Sequence, residues 1–362
     1  MENVKQFSGD KILKHSERIE EFFDTDNSRP ITIELDMTNI CNHNCPYCFG
    51  YYKRKENLNV ISREEAFDII DQLKDAGALA ITFTGGGEPL VNKDTIFAME
   101  YAKSKEIDVA LITNGLALTE DISRRALKVC TWIRVSVDAD SAETYKKTHG
   151  MDEKSWKIML KNVEILCKLK KELNSECTIG VGYLTMSLTN NERKMLDFVQ
   201  IFKKIGVDYS QFRPIMPKWD ESKLIQIDNS EENIKKALTE STEEYDVLYS
   251  KPKYDLMRFP RENWRPYSEC LGVNFTTTIA ADKKVYVCCH HRGIEKYCLG
   301  DLDKEKFSDI WDKRQKVFDR IDFKDCPYFC RNNPFNIILF EIKNNNREIK
   351  KIQEKRKHKN FL

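Results

Sequence analysis

The sequence has almost no excess of charge of either sign. Its 362 residues include 59 Lys and Arg against 58 Asp and Glu, which gives a formal net charge of +1. Proteins that bind nucleic acid or anionic membranes through their overall field carry a marked positive excess. We therefore expect no nucleic-acid partner and no membrane partner, and the net charge does not identify a substrate.

Long apolar runs are also missing. The first 23 residues contain no apolar core of roughly 7–15 residues followed by small residues, which a secretion signal requires. Nowhere do about 18 apolar residues follow one another, so the sequence predicts no membrane-spanning helix. We expect a cytoplasmic protein, and a hydrophobic content of 41% is sufficient for one large domain and one small one.

Cysteine, in contrast, is plentiful, with twelve residues in the chain. A short secreted protein would pair them in disulfides, whereas clustered cysteines in an intracellular chain of this length more often bind metal. The positions of the clusters therefore decide which chemistry the sequence predicts.

Six short runs rich in β-branched residues recur between residues 31 and 213, with helical patterns between them. This alternation is typical of repeated βα units and of a parallel sheet. Six such units predict an α/β fold, a partial (β/α)6 barrel whose active site lies at the carboxyl ends of the strands. The runs are Ile31–Leu35, Ala80–Thr84, Val109–Thr113, Trp132–Val137, Thr178–Thr185 and Tyr209–Arg213.

One of the intervening helices has clear signals in the sequence. Ser62 and Glu65 have the spacing of a capping box, in which each side chain accepts a hydrogen bond from the other residue's backbone N–H. Phe67, Ile70 and Leu73 follow at helical spacing and form an apolar stripe. These residues predict a helix that packs its stripe against the sheet.

Cys41, Cys45 and Cys48 stand on one short loop directly after the first predicted strand. Three thiolates at this spacing can ligate three irons of one iron–sulfur cluster and leave the fourth iron open to a substrate or cofactor. The alternatives are scattered core cysteines and a zinc knuckle. A structural zinc would need a fourth ligand, and His43 could supply it.

These residues resemble the radical S-adenosylmethionine enzymes, whose motif is Cys-x3-Cys-x2-Cys with an aromatic residue before the last cysteine, the position of Tyr47. The resemblance extends over residues 30–215 and, more loosely, over 265–335. It implies a four-iron, four-sulfur cluster on the three cysteines, with S-adenosylmethionine bound to the open iron. It also implies reductive cleavage to a 5′-deoxyadenosyl radical, hydrogen abstraction from a substrate, and an electron donor such as flavodoxin or ferredoxin.

The second predicted strand ends in Thr-Gly-Gly-Gly-Glu-Pro, and glycines there let a ligand approach bare backbone groups. A glycine run by itself is also compatible with a plain turn. In the family a matching Gly-Gly-Glu-Pro binds the amino group of the cofactor's methionine portion. The resemblance therefore implies that Gly85, Gly86 and Glu88 bind the cofactor, as does Tyr47 beside the cluster.

Four further cofactor contacts are implied at or after later strands. Ser136 matches the serine of the family's Ser-x-Asp-Gly segment, although Ala139 replaces its glycine. His149 stands where the family has an arginine, and it could equally be an ordinary surface histidine. Asn114 has a counterpart that lines the site, but Asn-Gly is also a turn signal. Arg213 could reach the cofactor, an anionic substrate, or a structural salt-bridge partner.

Half of the cysteines fall within residues 270–330. Two predicted strands, Phe275–Ala280 and Lys284–Cys288, form a hairpin between the first two of these cysteines. The pattern resembles the family's carboxyl-terminal domain called SPASM, or its shorter form, twitch. The resemblance implies one auxiliary four-iron cluster ligated by Cys270, Cys288, Cys326 and Cys330.

The ligand set of this second site has open alternatives. Cys289 could replace Cys288, and Cys298 would be a spare cysteine unless the spacing displaces another ligand. The same four thiolates would fit a structural zinc tetrahedrally, and His290 and His291 are close in sequence.

The changes of pattern along the sequence divide the chain into five parts, which we name by the resemblance. We predict a helical extension at 1–29, the radical S-adenosylmethionine barrel at 30–217, a connector or lid at 218–268, the auxiliary cluster domain at 269–335, and a basic helix or tail at 336–362. These boundaries follow the changes of pattern along the sequence.

The predicted activity is that of a radical S-adenosylmethionine oxidoreductase whose substrate is a small molecule, a carbohydrate or a peptide, with an auxiliary cluster that carries electrons. One alternative is a peptide-modifying maturase, and another is a non-catalytic iron–sulfur or zinc-binding protein. About 30 residues precede the first strand, where peptide-modifying relatives often carry a peptide-binding domain, which favours a small molecule or sugar. The sequence names no general acid or base.

Overall fold

A computed structural model describes residues 9–48, 58–216, 230–256, 265–327, 330–345 and 358–362. Parts of the predicted connector (218–229 and 257–264) and of the predicted basic tail (346–357) lie outside the described residues. The strands are β1 (Thr32–Asp36), β2 (Ala80–Thr84), β3 (Asp108–Thr113), β4 (Cys130–Ser136), β5 (Thr178–Thr185), β6 (Tyr209–Pro214), β7 (Asp246–Tyr249), β8 (Thr276–Ile279), β9 (Lys284–Tyr286) and β10 (Cys298–Asp301).

The α-helices alternate with the strands through the first part of the chain. None of the helices in the described ranges is long and apolar enough to cross a membrane. The helices are α1 (Ser16–Thr25), α2 (Arg63–Asp75), α3 (Thr95–Ser104), α4 (Glu120–Val129), α5 (Ala142–His149), α6 (Glu153–Glu172), α7 (Glu192–Ile205), α8 (Ser230–Leu238), α9 (Lys251–Leu256), α10 (Phe307–Asp312), α11 (Gln315–Phe318) and α12 (Asn333–Asn345).

One sheet holds all ten described strands, in the order β10-β9-β8-β1-β2-β3-β4-β5-β6-β7. Strands β1 to β7 run parallel, each paired with the next along the chain. The six predicted strands are confirmed, with every boundary within two residues of the predicted one. The α/β fold with a parallel partial barrel is confirmed with them.

The sheet continues on both sides of the six predicted strands. On one side β7 pairs in parallel with β6, in the stretch that the sequence analysis interpreted as a connector. On the other side β8 pairs in parallel with β1, and β9 turns back antiparallel to β8. The predicted hairpin is therefore present, and backbone hydrogen bonds attach it directly to the first strand of the barrel.

Side chains on the parallel strands alternate between two environments, because successive residues point to opposite faces. On β1, Ile33 and Leu35 belong to the large core cluster that the helices cover. Glu34 lies on the opposite face and lines the barrel interior. The same alternation on β4 directs Arg134 and Ser136 inward, so the interior wall is polar while the outer face is apolar.

The predicted capping box begins helix α2. The Ser62 hydroxyl accepts a hydrogen bond from Glu65 N at 3.3 Å, and the Glu65 carboxylate accepts one from Ser62 N at 2.8 Å. Of the predicted apolar stripe, Ile70 and Leu73 are fully buried. Phe67 is partly buried, and its ring stacks on Tyr101 with the centroids 4.0 Å apart.

Residues 358–362 lie at the amino ends of the strands. Thr32, the first residue of β1, donates a hydrogen bond from Oγ1 to Asn360 O at 2.6 Å. The ring of Phe361 is buried and contacts Trp132 edge-on, with the centroids 5.5 Å apart. These residues end the segment predicted as a basic helix or tail, and their apolar and hydrogen-bonded contacts cover the floor of the barrel.

Candidate cofactor and metal site

One cavity of about 620 Å³ opens at the carboxyl ends of the strands and continues into the barrel interior. The cavity brings together every residue that the sequence analysis assigned to the first cluster and its cofactor. These residues are Cys41, Cys45, Tyr47, Cys48, Gly85, Gly86, Glu88, Asn114, Ser136, His149 and Arg213. This position agrees with the rule that α/β barrels place their ligands at the carboxyl ends of the strands.

The cysteine loop is held from both sides. Thr38 donates from Oγ1 to Asn59 O at 3.0 Å and accepts at the same oxygen from Ile40 N at 3.0 Å. Near the other end of the loop, Asn44 N donates to His149 O at 3.1 Å. The three cysteines of the loop are partly exposed and line the cavity. The hydrogen bonds near the two ends of the loop fix its backbone.

The glycine segment packs directly against the cysteine loop. Gly87 N donates to Thr38 O at 3.1 Å, and Glu88 N donates to Ile40 O at 2.9 Å. A Cβ atom at position 87 would lie 2.1 Å from Ile40 O, so only glycine fits there. At Gly86 the nearest atom to such a Cβ would be 3.5 Å away, an ordinary contact. The sequence analysis missed the role of Gly87 because its contact is with a loop 47 residues earlier.

Glu88 is buried beneath the glycine segment, and its carboxylate joins two strand ends. It accepts hydrogen bonds from Thr113 Oγ1 at 2.6 Å, Asn114 N at 2.7 Å and Leu90 N at 3.1 Å. Burial raises the pKa of Glu88 although these hydrogen bonds act in the opposite direction. The carboxylate therefore fixes the geometry of the β2 and β3 ends while it still lines the cavity.

His149 is almost completely buried, so the alternative of a surface histidine is wrong. Its Nδ1 lies 3.2 Å from both Cys45 Sγ and His43 Nδ1, and its Nε2 lies 2.7 Å from Val137 O. Because the backbone carbonyl needs a donor, Nε2 carries the proton and Nδ1 is the acceptor. Burial lowers the pKa of His149 and so favours this neutral form.

The remaining predicted contacts lie around the same opening. Ser136 is the last residue of β4, and Asn114 follows β3 with its Nδ2 donating to Asn42 Oδ1 at 2.6 Å. Tyr47 is 41% exposed at the rim. Arg213 lies on β6 and lines the cavity, and its Nε is buried without a hydrogen-bond partner among the described residues.

A charged network that the sequence analysis missed crosses the barrel interior. Arg292 contacts Asp36 Oδ2 at 2.5 Å and Glu34 Oε2 at 3.3 Å, and Arg331 contacts Glu34 from the other side. Asp36 also accepts from Gly86 N at 3.1 Å. Burial raises the pKa of Asp36 to about 7, against the attraction of Arg292. The arginines follow cysteines of the second group, so the network joins that group to the glycine segment.

Five cysteines of the second group lie near one another, the four predicted ligands and Cys289. Burial raises the pKa of the Cys288 thiol, and four neighbouring cysteines raise it further. Those neighbours are Cys289, Cys330, Cys270 and Cys326. Cys270 also accepts a hydrogen bond from Asn336 Nδ2 at 3.4 Å, and Cys326 Sγ lies 3.5 Å from His291 Nε2.

Cys289 and Cys298, the two cysteines that could replace a predicted ligand, occupy different surroundings. Cys298 donates from Sγ to Gly300 O at 3.4 Å, and the charges that act on its thiol come from Glu295, Lys284 and Asp282 rather than from other cysteines. Cys289 lines the barrel cavity, beside Glu34 and the arginines of the charged network. Cys298 is therefore set apart from the other cysteines, whereas Cys289 lies near Cys288 and, like Cys330, lines the cavity. Cys289 stays an alternative to Cys288 as a ligand.

The donor chemistry of both groups fits iron–sulfur clusters. A tetrahedral zinc with Zn–S bonds near 2.3 Å needs its thiolates about 3.8 Å apart. Within the described part of the chain, one group of three His, Cys, Asp or Glu ligand atoms lies within 4.8 Å of one another. It consists of His43, Cys45 and His149. That group lies at the first cysteine loop, and no three ligand atoms among the described residues of the second group lie so close together.

The fold and the site define an α/β partial-barrel protein with a three-cysteine loop at its open end and a thiol-rich hairpin domain. Comparison with protein families makes this specific. Residues 35–187 match the Radical SAM superfamily, and residues 270–332 match SPASM, an iron–sulfur cluster-binding domain. The chain belongs to the radical S-adenosylmethionine superfamily and is an enzyme of that superfamily. Its domains imply a four-iron cluster, S-adenosylmethionine and auxiliary iron–sulfur clusters as cofactors.

Several known proteins are similar to this chain. A probable GTP 3′,8-cyclase from Methanococcus vannielii is 27% identical over 246 residues, 65% of this chain and 76% of that protein. Mycofactocin maturase MftC from Mycobacterium ulcerans is 28% identical over 134 residues, 37% of this chain and 36% of its own length. Crystal structures of Streptococcus suis SuiB bound to S-adenosylmethionine and to precursor peptide SuiA have TM-scores of 0.62 and 0.60. Each is 14% identical and covers 82% of this chain, with 69% and 68% of SuiB covered, so they show the fold alone.

Proposed function

We propose that this chain is a radical S-adenosylmethionine oxidoreductase that abstracts a hydrogen atom from a substrate held inside the barrel. The observation that carries the proposal is the single cavity that connects the three-cysteine loop, the glycine segment and the polar barrel interior. A cofactor bound at the strand ends and a substrate bound below it would share one enclosed space. Such a space keeps reactive groups together and excludes water.

In this proposal Cys41, Cys45 and Cys48 hold the first cluster. Three thiolates would leave one coordination position of the cluster open, and all three cysteines line the cavity. When bound, the cluster supplies the electron that cleaves S-adenosylmethionine and so starts the radical chemistry. The role of the chain is to fix the loop, through Thr38 at one end and His149 at the other.

Eight residues around the opening would bind the cofactor. The bare backbone of Gly85 and Gly86 would face its amino group, together with the Glu88 carboxylate, which retains acceptor capacity. Ser136 and Asn114 offer polar groups at the ends of β4 and β3. The others are Tyr47 at the rim, His149 under the loop and Arg213 on β6.

The second group of cysteines would hold one auxiliary four-iron cluster through Cys270, Cys288, Cys326 and Cys330. A cluster ligated entirely by protein cannot bind substrate, so it would carry electrons. An electron acceptor beside the barrel suits a net two-electron oxidation of the substrate. An electron donor such as flavodoxin or ferredoxin and a cytoplasmic location, where thiols stay reduced, complete the proposal.

The substrate class has two candidates. A small molecule or carbohydrate is the first, because a cavity of about 620 Å³, part of which the cofactor would occupy, is of the size that holds small ligands. A short peptide is the second candidate, because mycofactocin maturase is a relative and SuiB has been solved with a precursor peptide. In both cases the reacting carbon would have to reach the open end of the barrel beside the cysteine loop.

The test is anaerobic reconstitution followed by iron and sulfide counting, with 5′-deoxyadenosine formation under a strong reductant as the activity readout. We expect about eight irons per chain for the wild type and about four for Cys41→Ala/Cys45→Ala/Cys48→Ala, with 5′-deoxyadenosine lost in the variant. The matched control is Cys130→Ala/Cys167→Ala/Cys177→Ala, three buried cysteines outside both groups. It should retain the iron content and the activity of the wild type.

Two outcomes would contradict the proposal. About four irons together with bound zinc would make the second group structural and would remove the argument for oxidation. Failure of a fully loaded protein to release 5′-deoxyadenosine would favour a non-catalytic iron–sulfur protein. Loss of iron in the control variant would instead show that the count depends on general stability.

A further inference from the structure

Strand β5 has two glycines on the face that it presents to the barrel interior. Gly180 and Gly182 occupy two of its inward positions, and a Cβ atom at 180 would lie 1.9 Å from the Tyr209 ring. A Cβ atom at 182 would lie 3.0 Å from Arg213 Nη2 and 3.9 Å from Arg134 Cδ. The two glycines therefore create space that side chains from β4 and β6 fill from either side.

Three cationic side chains face this space from three different elements. Arg134 lies on β4, Arg213 on β6 and Lys253 on the short helix α9, and all three line the cavity. Gln211 lies on the inward face of β6 between Tyr209 and Arg213, and it is 3% exposed. The wall opposite the charged network is therefore positively charged and polar.

These cations are not neutralised by the residues that the structure describes. The Nε atoms of Arg134 and Arg213 are buried without a hydrogen-bond partner, and so is Oε1 of Gln211. None of the three cations contacts a carboxylate in the described ranges, whereas Arg292 and Arg331, in the same cavity, contact Asp36 and Glu34. Two other acidic groups line the cavity: Glu88 accepts hydrogen bonds from Thr113 and Asn114, and Asp138 accepts one from Leu184 N. Asp138 attracts Arg134 but does not form an ion pair with it within the described residues.

Clustered like charges in a partly dehydrated site are unfavourable unless a counter-charge is present. Burial, together with repulsion from Arg213 and Arg134, lowers the pKa of Lys253 to about 8. Burial and repulsion from Arg213 also lower the pKa of Arg134. A bound anion would relieve this repulsion and would give the buried N–H groups their missing acceptors.

We propose that the substrate carries an oxyanion, a carboxylate or a phosphate, which binds between Arg134, Arg213 and Lys253. Arg213 then contacts an anionic substrate instead of the cofactor, the alternative that the sequence left open. The inference rests on the proposed function, because it names the substrate class of the same cavity. Arg134 precedes Ser136 by two residues along β4, about 6.6 Å farther into the barrel. The anion site is therefore one layer below the strand ends, and the remainder of the substrate extends upward toward the cysteine loop.

The test measures anion binding to the full-length, anaerobically reconstituted protein by calorimetry and by thermal unfolding. The probes are sodium phosphate and sodium succinate, with sodium chloride at equal ionic strength as the reference. We expect one of the oxyanions to bind and raise the melting temperature, and Arg134→Gln and Lys253→Gln each to weaken that binding about tenfold. The matched control is Arg125→Gln, because Arg125 pairs with Glu100 on the outside of the barrel.

Binding of phosphate alone indicates a phosphorylated substrate, and binding of succinate alone indicates a carboxylate substrate; either result supports the site. No binding of either oxyanion, or equal binding in the Arg134→Gln variant, overturns the inference. The affinity for S-adenosylmethionine is measured in the same variants. If it falls in parallel with the anion affinity, the cations bind the cofactor instead, and the inference is wrong.

The two proposals fail in different ways. A wild type that forms 5′-deoxyadenosine but binds neither oxyanion retains the proposed function and loses the anion site. A wild type that binds an oxyanion through Arg134 and Lys253 but forms no 5′-deoxyadenosine retains the anion site and loses the proposed function. The iron count of each preparation shows that the two measurements compare equally loaded protein.

Discussion

His149 Nδ1 lies 3.2 Å from Cys45 Sγ, while the other nitrogen of the same ring bonds the Val137 carbonyl at 2.7 Å. The chain of contacts continues through His43 to the hydroxyl of Tyr145, 3.4 Å from His43 Nε2. One consistent set of protons makes Tyr145 donate to His43, His43 donate to His149, and His149 donate to the backbone. The cysteine loop is thereby anchored to the end of β4.

Replacement of His149 by phenylalanine should loosen this anchor. The variant leaves Val137 O and His43 without their partners, so we expect the free energy of unfolding to fall by about 1–3 kcal/mol. The loop should also release iron faster during gel filtration under anaerobic conditions. Urea unfolding and iron counting measure the two effects, with exposed Lys147→Ala on the same helix as the control. Unchanged iron retention would show that the anchor does not support the loop.

The glycine segment gives a second prediction with an internal control. Gly87→Ala should be destabilising by about 1–3 kcal/mol, because its Cβ would overlap Ile40 O at 2.1 Å and push the cysteine loop outward. Gly86→Ala should cost less, since its Cβ would meet its nearest neighbour at 3.5 Å. Thermal unfolding of the two variants gives the order. Equal melting temperatures would contradict the tight packing between the two segments.

The capping box of helix α2 predicts a smaller effect. Ser62→Ala removes the acceptor for Glu65 N, and loss of such a cap costs about 1 kcal/mol. Urea unfolding should show a lower midpoint at an unchanged slope. Ser104→Ala is the control, because the Ser104 hydroxyl bonds a carbonyl at the end of a helix and caps no N–H group. A midpoint for Ser62→Ala equal to that of the wild type would mean that the box contributes nothing measurable.

His15 predicts a pH dependence of stability. Burial lowers its pKa to about 4, and its Nε2 lies 3.0 Å from Lys359 O. In the unfolded chain a histidine has a pKa of about 6.5, so below that pH the unfolded state binds the extra proton and gains stability relative to the folded state. The contribution of His15 is complete above pH 6.5 and is lost as the pH falls toward 4, about 3 kcal/mol in total.

The variant for this test is His15→Gln, which keeps a donor for the carbonyl but does not titrate. Its free energy of unfolding, measured by urea between pH 7 and pH 4, should decrease less than that of the wild type by about 3 kcal/mol. Other titrating groups contribute equally to both curves. Parallel curves over this range would show that His15 is not buried as described.

The sequence was sufficient to predict those features that depend on local patterns. The six strands, the capping box and the hairpin follow from alternation and capping signals within a few residues, and the cysteine motif lies on a single loop. The grouping of the cofactor residues in one cavity followed from the rule for carboxyl ends of parallel strands. For these features, neighbouring residues carry the whole signal.

Features that depend on distant partners could not be predicted. Strand β7 has only four residues, too few for a periodic pattern to show. The need for glycine at position 87 depends on Ile40, and the charged partners of Arg292 lie on β1, more than 250 residues earlier. Arg134 points into open space because Gly180 and Gly182 lie on the neighbouring strand and have no side chains there. Each of these features requires the folded chain.

The pairing of β8 with β1 has a consequence for electron transfer. The ladder matches Thr32 to Thr276 and Leu35 to Ile279, so one set of backbone hydrogen bonds joins the strand before the first cysteine group to the strand inside the second. The first cysteine group follows the carboxyl end of β1, whereas Cys270 of the second group precedes the amino end of β8. Because the two strands are parallel, these ends lie at opposite edges of the sheet, separated by about 13 Å of strand. A ladder of this kind is a rigid spacer without a hinge. Under the proposed function, we therefore expect the separation of the two cysteine groups to be set by strand length and to stay constant when substrate enters or leaves.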